Sequence, residues 1–139
     1  GLESLNFADA LLAEPDRLQS ALFTTSVTPY AYRKRGQYID YINDLDKLLD
    51  QDQLKIIIFE EYAGNIGSIQ KLYRWLDIND DFIPPALNEV VNPSLVKSEE
   101  QAESFKNLAL GYQDSIYQLE IRLGRKIDAW RQYHKDLTV

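Results

Sequence analysis

The chain of 139 residues contains no cysteine, no methionine and one histidine, His134. Without a thiol there is no disulfide, no thiolate nucleophile, no iron–sulfur cluster and no cysteine-based zinc site. A single imidazole excludes a His-rich metal site as well. Basic residues are also scarce: 15 Lys and Arg stand against 22 Asp and Glu, a formal net charge of −7. That balance argues against broad binding to nucleic acid or to an anionic membrane, both of which need excess positive charge. No apolar run approaches the roughly 18 residues of a membrane span. The strongest is Ile56-Ile57-Ile58-Phe59. No signal peptide is read at the start, and the reading is cytoplasmic. The opening Gly1-Leu2-Glu3 reads as the start of an excised fragment, so residues 1–139 are one domain or a piece of one.

What is present is ordinary globular material, 45% hydrophobic and 27% charged. Phe7 to Leu12 reads as a helix capped by Asn6. Pro15 reads as the start of a second helix carrying Leu18, Ala21 and Leu22. Thr24 to Arg35 reads as turns. After Gly36, Tyr38, Ile42, Leu45 and Leu49 recur at helical spacing, with Tyr41 and Leu48 widening the stripe. Leu54 to Phe59, continuously apolar and rich in β-branched residues, predicts a strand buried on both faces. A helix capped by Asn65 follows, with Ile69, Leu72, Tyr73 and Leu76 as its apolar face and Trp75 and Leu76 anchoring it on the strand. Asn79-Asp80-Asp81 and Pro84-Pro85 end it, and Ile83 to Ser98 reads as irregular. A late helix from Glu99 to Leu123 is broken near Gly111 and stopped by Gly124. Ile127 to Tyr133 predicts a closing helix anchored by Trp130. The fold expectation is mostly helical with one buried-type strand, which needs neighbours to satisfy its backbone.

Few residues suggest chemistry. Gly64-Asn65-Ile66-Gly67-Ser68 follows the strand where phosphate loops occur, but no lysine follows the glycine and Glu60 and Glu61 stand just ahead. A turn with an N-cap is the simpler reading. Asp77, Asn79 and Asp81 have the spacing of a calcium loop, yet Phe82 and Asn88 occupy its glycine and glutamate positions, which leaves a polar turn. Glu60 and Glu61, adjacent on a strand, point to opposite faces and cannot act as a pair on one substrate. Arg33-Lys34-Arg35, flanked by Tyr30 and Tyr32, is the one dense basic cluster. It reads either as a solvated turn or as a contact for a sulfate, a phosphate or an acidic ligand. No catalytic residue and no metal ligand is assigned.

Taken in order, several stretches resemble the C-terminal half of sulfotransferases that use 3′-phosphoadenylyl sulfate (PAPS). These are the helix Leu5 to Glu14, Arg35-Gly36-Gln37-Tyr38 with its amphipathic helix, the run Asp52 to Tyr62, the helix ending Tyr73-Arg74-Trp75-Leu76-Asp77-Ile78, and Leu123-Gly124-Arg125-Lys126-Ile127 leading to Trp130. The resemblance implies the C-terminal part of an α/β, P-loop-like fold, with the strand 54–59 in a parallel sheet. It implies a co-substrate, PAPS, whose sulfuryl group moves to a hydroxyl or amine, with Phe59 beside the adenine. It further implies a partner, the N-terminal half bearing the phosphosulfate loop, so that the chain alone is inactive. The family's late basic phosphate loop falls between Asn88 and Ser98, where no basic residue precedes Lys97. Two other readings stand beside this one. One is a non-catalytic helical interaction module that self-associates through 54–59. The other is a binder of an acidic ligand through Arg33, Lys34 and Arg35.

Overall fold

The computed structural model describes residues 3–19, 29–90 and 102–135, with side chains as far as Arg131. Among them are eight helices and no strand or sheet. The first, α1 (Phe7–Gln19), begins where Asn6 accepts a hydrogen bond from the Asp9 N–H at 2.9 Å and returns one to the Asp9 carboxylate at 2.8 Å. This reciprocal cap satisfies donors that a helix start leaves unpaired. Contrary to the reading of Pro15 as a new start, α1 runs through it. The helix buries Ala10, Leu11 and Glu14 on one side. The expectations for Ala21, Leu22 and Thr24 to Thr28 lie outside the described residues.

Two short turns of chain follow. Helix α2 (Tyr32–Arg35) packs on α1, and α3 (Tyr38–Leu45) packs on α7 (Gln113–Leu123). In α3 the buried pair is Ile39 and Ile42, whereas Tyr38, Tyr41 and Leu45 stay largely exposed. The tyrosine-rich stripe is thus displaced from the core by part of a turn.

The expected strand is the main correction. Leu54, Ile56 and Ile58 turn inward while Lys55, Ile57 and Phe59 turn outward, the period of two of an extended chain. Ile58 has φ −98° and ψ 119°. But Ile57 is 43% exposed, so only one face is buried. Among the described residues no second extended segment lies alongside. The N–H groups of Leu54 to Ile58 donate no hydrogen bond there, and the carbonyls of Leu54 to Ile57 accept none. Side chains hold the segment instead. Ile58 joins Ile39, Ile42, Leu119 and Ile127 in the core, with Ile56, Leu123 and Trp130 packed against it. Each fully buried residue of this type contributes about 1.5–3 kcal/mol. The α/β architecture and its sheet are therefore not what this chain shows.

Helix α4 (Phe59–Tyr62) continues from the segment, and α5 (Ile66–Trp75) packs on α4. Asn65 caps α5 by accepting from the Ser68 N–H at 3.1 Å. The helix ends with Asp77 in the left-handed region (φ 56°), Ile78 donating to the Tyr73 carbonyl and Asp77 to that of Arg74. Trp75 is 40% exposed and Leu76 more so, so neither is the buried anchor expected. The Lys55 ammonium lies 5.5 Å from the Trp75 ring centre and makes the link to the extended segment.

Helix α6 (Ala102–Gly111) and α7 are separated at Tyr112, just after Gly111. Gly124, at φ 65°, closes α7. Helix α8 (Asp128–Lys135) follows and packs on α6. The Phe7 and Phe105 rings, 4.8 Å apart, bring α1 against α6. Residues 91–101, with Lys97 and the start of the late helix, lie outside the described residues, as does the His134 side chain.

Candidate functional site

The basic turn is built by groups that carry no charge of its own sign. Glu14, only 2% exposed, accepts hydrogen bonds from the Arg33 N–H at 2.7 Å and the Lys34 N–H at 3.0 Å. One buried carboxylate thus takes two of the free donors at the start of α2. The Tyr112 hydroxyl donates to the Arg33 carbonyl at 2.9 Å. Burial, and then the nearby Glu14, push the Tyr112 hydroxyl above its ordinary pKa, so it stays a donor. Its ring lies so close to Gly36 that a Cβ there would stand 2.3 Å from the hydroxyl oxygen. Glycine is required by this approach. A second carboxylate, Glu3, pairs with Arg17 at 2.6 Å and accepts from the Tyr32 hydroxyl. Arg17, Tyr32 and the Leu5 N–H hold Glu3 down to about 2.

Two cavities open between this turn, the extended segment and α7. The first, about 440 Å³, takes in Tyr32, Arg35, Gly36, Tyr112 and Ser115. The second, about 380 Å³, takes in Tyr41, Ile42, Ile56, Ile57 and Phe59. Tyr38, Glu60, Leu119 and Trp130 line both. Tyr38 and Trp130 face one another with ring centres 6.2 Å apart and planes at 30°. The wall is thus aromatic and aliphatic with a few polar groups, the usual composition of a small-molecule site.

The far ends of the site are tied by ion pairs. Arg125 holds both oxygens of Glu61 at 2.7 Å, joining α4 to the turn after α7. Arg122 grips Asp46 at 2.6 and 2.7 Å, joining α3 to α7, and holds the Asp46 carboxyl below its usual value. Glu120, near the end of α7, is buried. Burial pushes its carboxyl up, but the Ile127 N–H at 2.8 Å and the Lys126 ammonium at 2.9 Å outweigh burial and hold it low.

Of the residues singled out in the sequence, Arg35 and Phe59 come to the two adjoining cavities, while Arg33 and Lys34 are exposed and line neither. Glu60 and Glu61 do separate, but as neighbours on a helical turn and not as opposite faces of a strand. The glycine turn Gly64 to Ser68 is an N-cap, and the Asp77 to Asp81 stretch is a polar turn in which Asp80 pairs with Arg74. Glu14, Tyr112 and Trp130 were not assigned to a site by their sequence. The legible sign for Glu14 was its register, four residues after Ala10 on the face that buries. For Tyr112 it was Gly36, a residue that admits close approach. Among the described residues no group of three or more acidic or histidine side chains is placed to hold a metal ion, and no helix is long and apolar enough to cross a membrane. Comparison with known proteins finds no matching family model, no matching curated protein and no matching solved structure.

Proposed function

We propose that this chain forms the acceptor-side wall of a PAPS-dependent sulfotransferase, which moves a sulfuryl group to a hydroxyl or amine in the cytoplasm. One observation carries the reading. Three of the stretches that resemble that family, far apart in sequence, converge on the adjoining cavities. Arg35-Gly36-Gln37-Tyr38 brings Arg35 and Tyr38, the run Asp52 to Tyr62 brings Ile56 to Glu60, and the closing stretch brings Trp130.

The lining does not fit the phosphates of PAPS. Among the described residues Arg35 is the one cationic side chain lining the two cavities, and Glu60 lines both. Several phosphate and sulfate oxygens need more donors than that. The exposed ring of Phe59, 76% open, suits stacking on an adenine and no more. In this reading the phosphosulfate is gripped by another segment of the enzyme, and this chain by itself does not turn over. Its own residues position the acceptor and exclude water from it.

The test is transfer of radiolabelled sulfuryl from PAPS to a panel of hydroxyl and amine acceptors by the whole protein that carries this chain. Label on an acceptor, with Tyr38→Ala raising the acceptor KM several-fold and leaving the PAPS KM unchanged, supports the reading. No label on any acceptor overturns it.

A second reading is favoured by a different observation, the backbone of Leu54 to Ile57, which bonds to nothing among the described residues. An extended segment of a second copy added along this edge would satisfy it and make the chain an interaction module. Light scattering after size exclusion decides it: a dimer that Ile57→Pro abolishes supports pairing, and a monomer at all concentrations ends it.

A further inference from the structure

Glu60 and Glu61 are adjacent in α4, yet their surroundings are opposite. Glu61 is held by Arg125 through two hydrogen bonds. Glu60 makes no hydrogen bond and no ion pair among the described residues, and it lies on the boundary shared by the two cavities. The other residues on that boundary are two aromatic rings, Tyr38 and Trp130, and Leu119. Among the described residues that line the second cavity, Glu60 is the one charged side chain, and Arg35, the other charge on the combined lining, sits in the first.

We propose that this double cavity binds a small organic ammonium ion carrying an apolar or aromatic body. The Glu60 carboxylate is its counter-ion. The Tyr38 and Trp130 rings, negative on their faces, attract the same cation. The body lies in the second cavity along Ile56 and Phe59, away from Arg35. A carboxylate and two aromatic residues lining the same volume are complementary to a cation and unfavourable to an anion. The net charge of −7 raises the local concentration of cations further. This deepens the sulfotransferase reading, on which it rests only for catalysis: the ammonium group orients the acceptor, and a hydroxyl elsewhere on the same molecule takes the sulfuryl group. Binding of the ion does not depend on it.

The probe is tyramine, compared with the uncharged 4-ethylphenol and the anionic 4-hydroxyphenylacetate. The readout is fluorescence of Trp130 in a Trp75→Phe background, which removes the only other tryptophan. Tyramine is expected to bind about tenfold more tightly than 4-ethylphenol, the size of a partly desolvated charge contact with an aromatic wall, and the anion not measurably. Glu60→Gln is expected to remove most of the tyramine advantage and leave 4-ethylphenol unchanged; because Glu60 is exposed, the variant folds. Equal binding of tyramine and 4-ethylphenol, or a tyramine affinity untouched by Glu60→Gln, overturns the proposal. Tyramine binding without sulfuryl transfer would sink the sulfotransferase reading alone. Sulfuryl transfer to tyramine whose KM is unchanged by Glu60→Gln would sink this one alone.

Discussion

The turn from Tyr30 to Gly36 and the segment from Leu54 to Ile58 line the same site and are held in opposite ways. In the turn, polar groups do the fixing: the Glu14 carboxylate takes two backbone N–H groups and the Tyr112 hydroxyl takes a carbonyl. In the segment, side chains do it. Ile58 and Ile56 are packed in the core while the backbone between Leu54 and Ile57 bonds to nothing described. A backbone whose groups are satisfied is committed to one arrangement. A backbone held only through alternate side chains keeps an open edge and an outward row, here Ile57 and Phe59, beside a cavity. The contrast explains why the first region looks like scaffold and the second like working surface.

Substitutions in the two regions should differ in effect. Ile58→Ala should have the largest effect, a loss of about 3 kcal/mol, because it removes the deepest side chain of a segment held through its side chains. Chemical denaturation checks it; a loss below about 1 kcal/mol would mean that backbone bonds hold the segment after all. Glu14→Ala should cost about 2–3 kcal/mol, since two backbone donors lose a charged acceptor. If it costs nothing, water replaces the carboxylate and the turn is not polar-fixed. Trp75→Ala should cost only about 1 kcal/mol, the scale of an exposed cation–π contact with some lost packing. A loss of the size expected for a buried tryptophan would restore α5 as an anchor.

Acid gives the smallest signal. The Glu3 carboxyl is held at about 2, below its unfolded value of about 4.3. Its contribution is therefore present above the unfolded pKa and is lost as pH falls toward 2. The melting temperature of the wild type should exceed that of Glu3→Gln at neutral pH, and the gap should close across that window. A constant gap would show that the Glu3 charge is not what Arg17 and Tyr32 recognise.

Local features were legible because a few neighbouring residues determine them. The Asn6 and Asn65 caps, the break after Gly111, the stop at Gly124 and the closing helix at Trp130 all follow from side-chain oxygens, missing Cβ atoms and spacing over one or two turns. What the sequence hid depends on distant partners. Three successive isoleucines look alike whether one face or both are covered, so the one-sided alternation of Ile56, Ile57 and Ile58 was read as a fully buried strand. The tyrosines of α3 have the right period for a core, but α7 meets that helix at Ile39 and Ile42. Trp75 is apolar enough to be buried, yet it stays 40% exposed with the Lys55 ammonium beside its ring. At the site, Arg35 and Phe59 were legible as candidates. The role of Glu60 was not, because its lack of a partner beside the well-paired Glu61 is visible only in three dimensions.

Amide hydrogen exchange tests the central contrast most directly, residue by residue in one experiment. The Arg33 and Lys34 amides, bonded to Glu14, should exchange slowly, while those of Lys55, Ile56 and Ile57 should exchange near the rate of an open chain. Protection of Lys55 to Ile57 equal to that of Arg33 and Lys34 would show a hidden backbone partner along the segment and contradict the account.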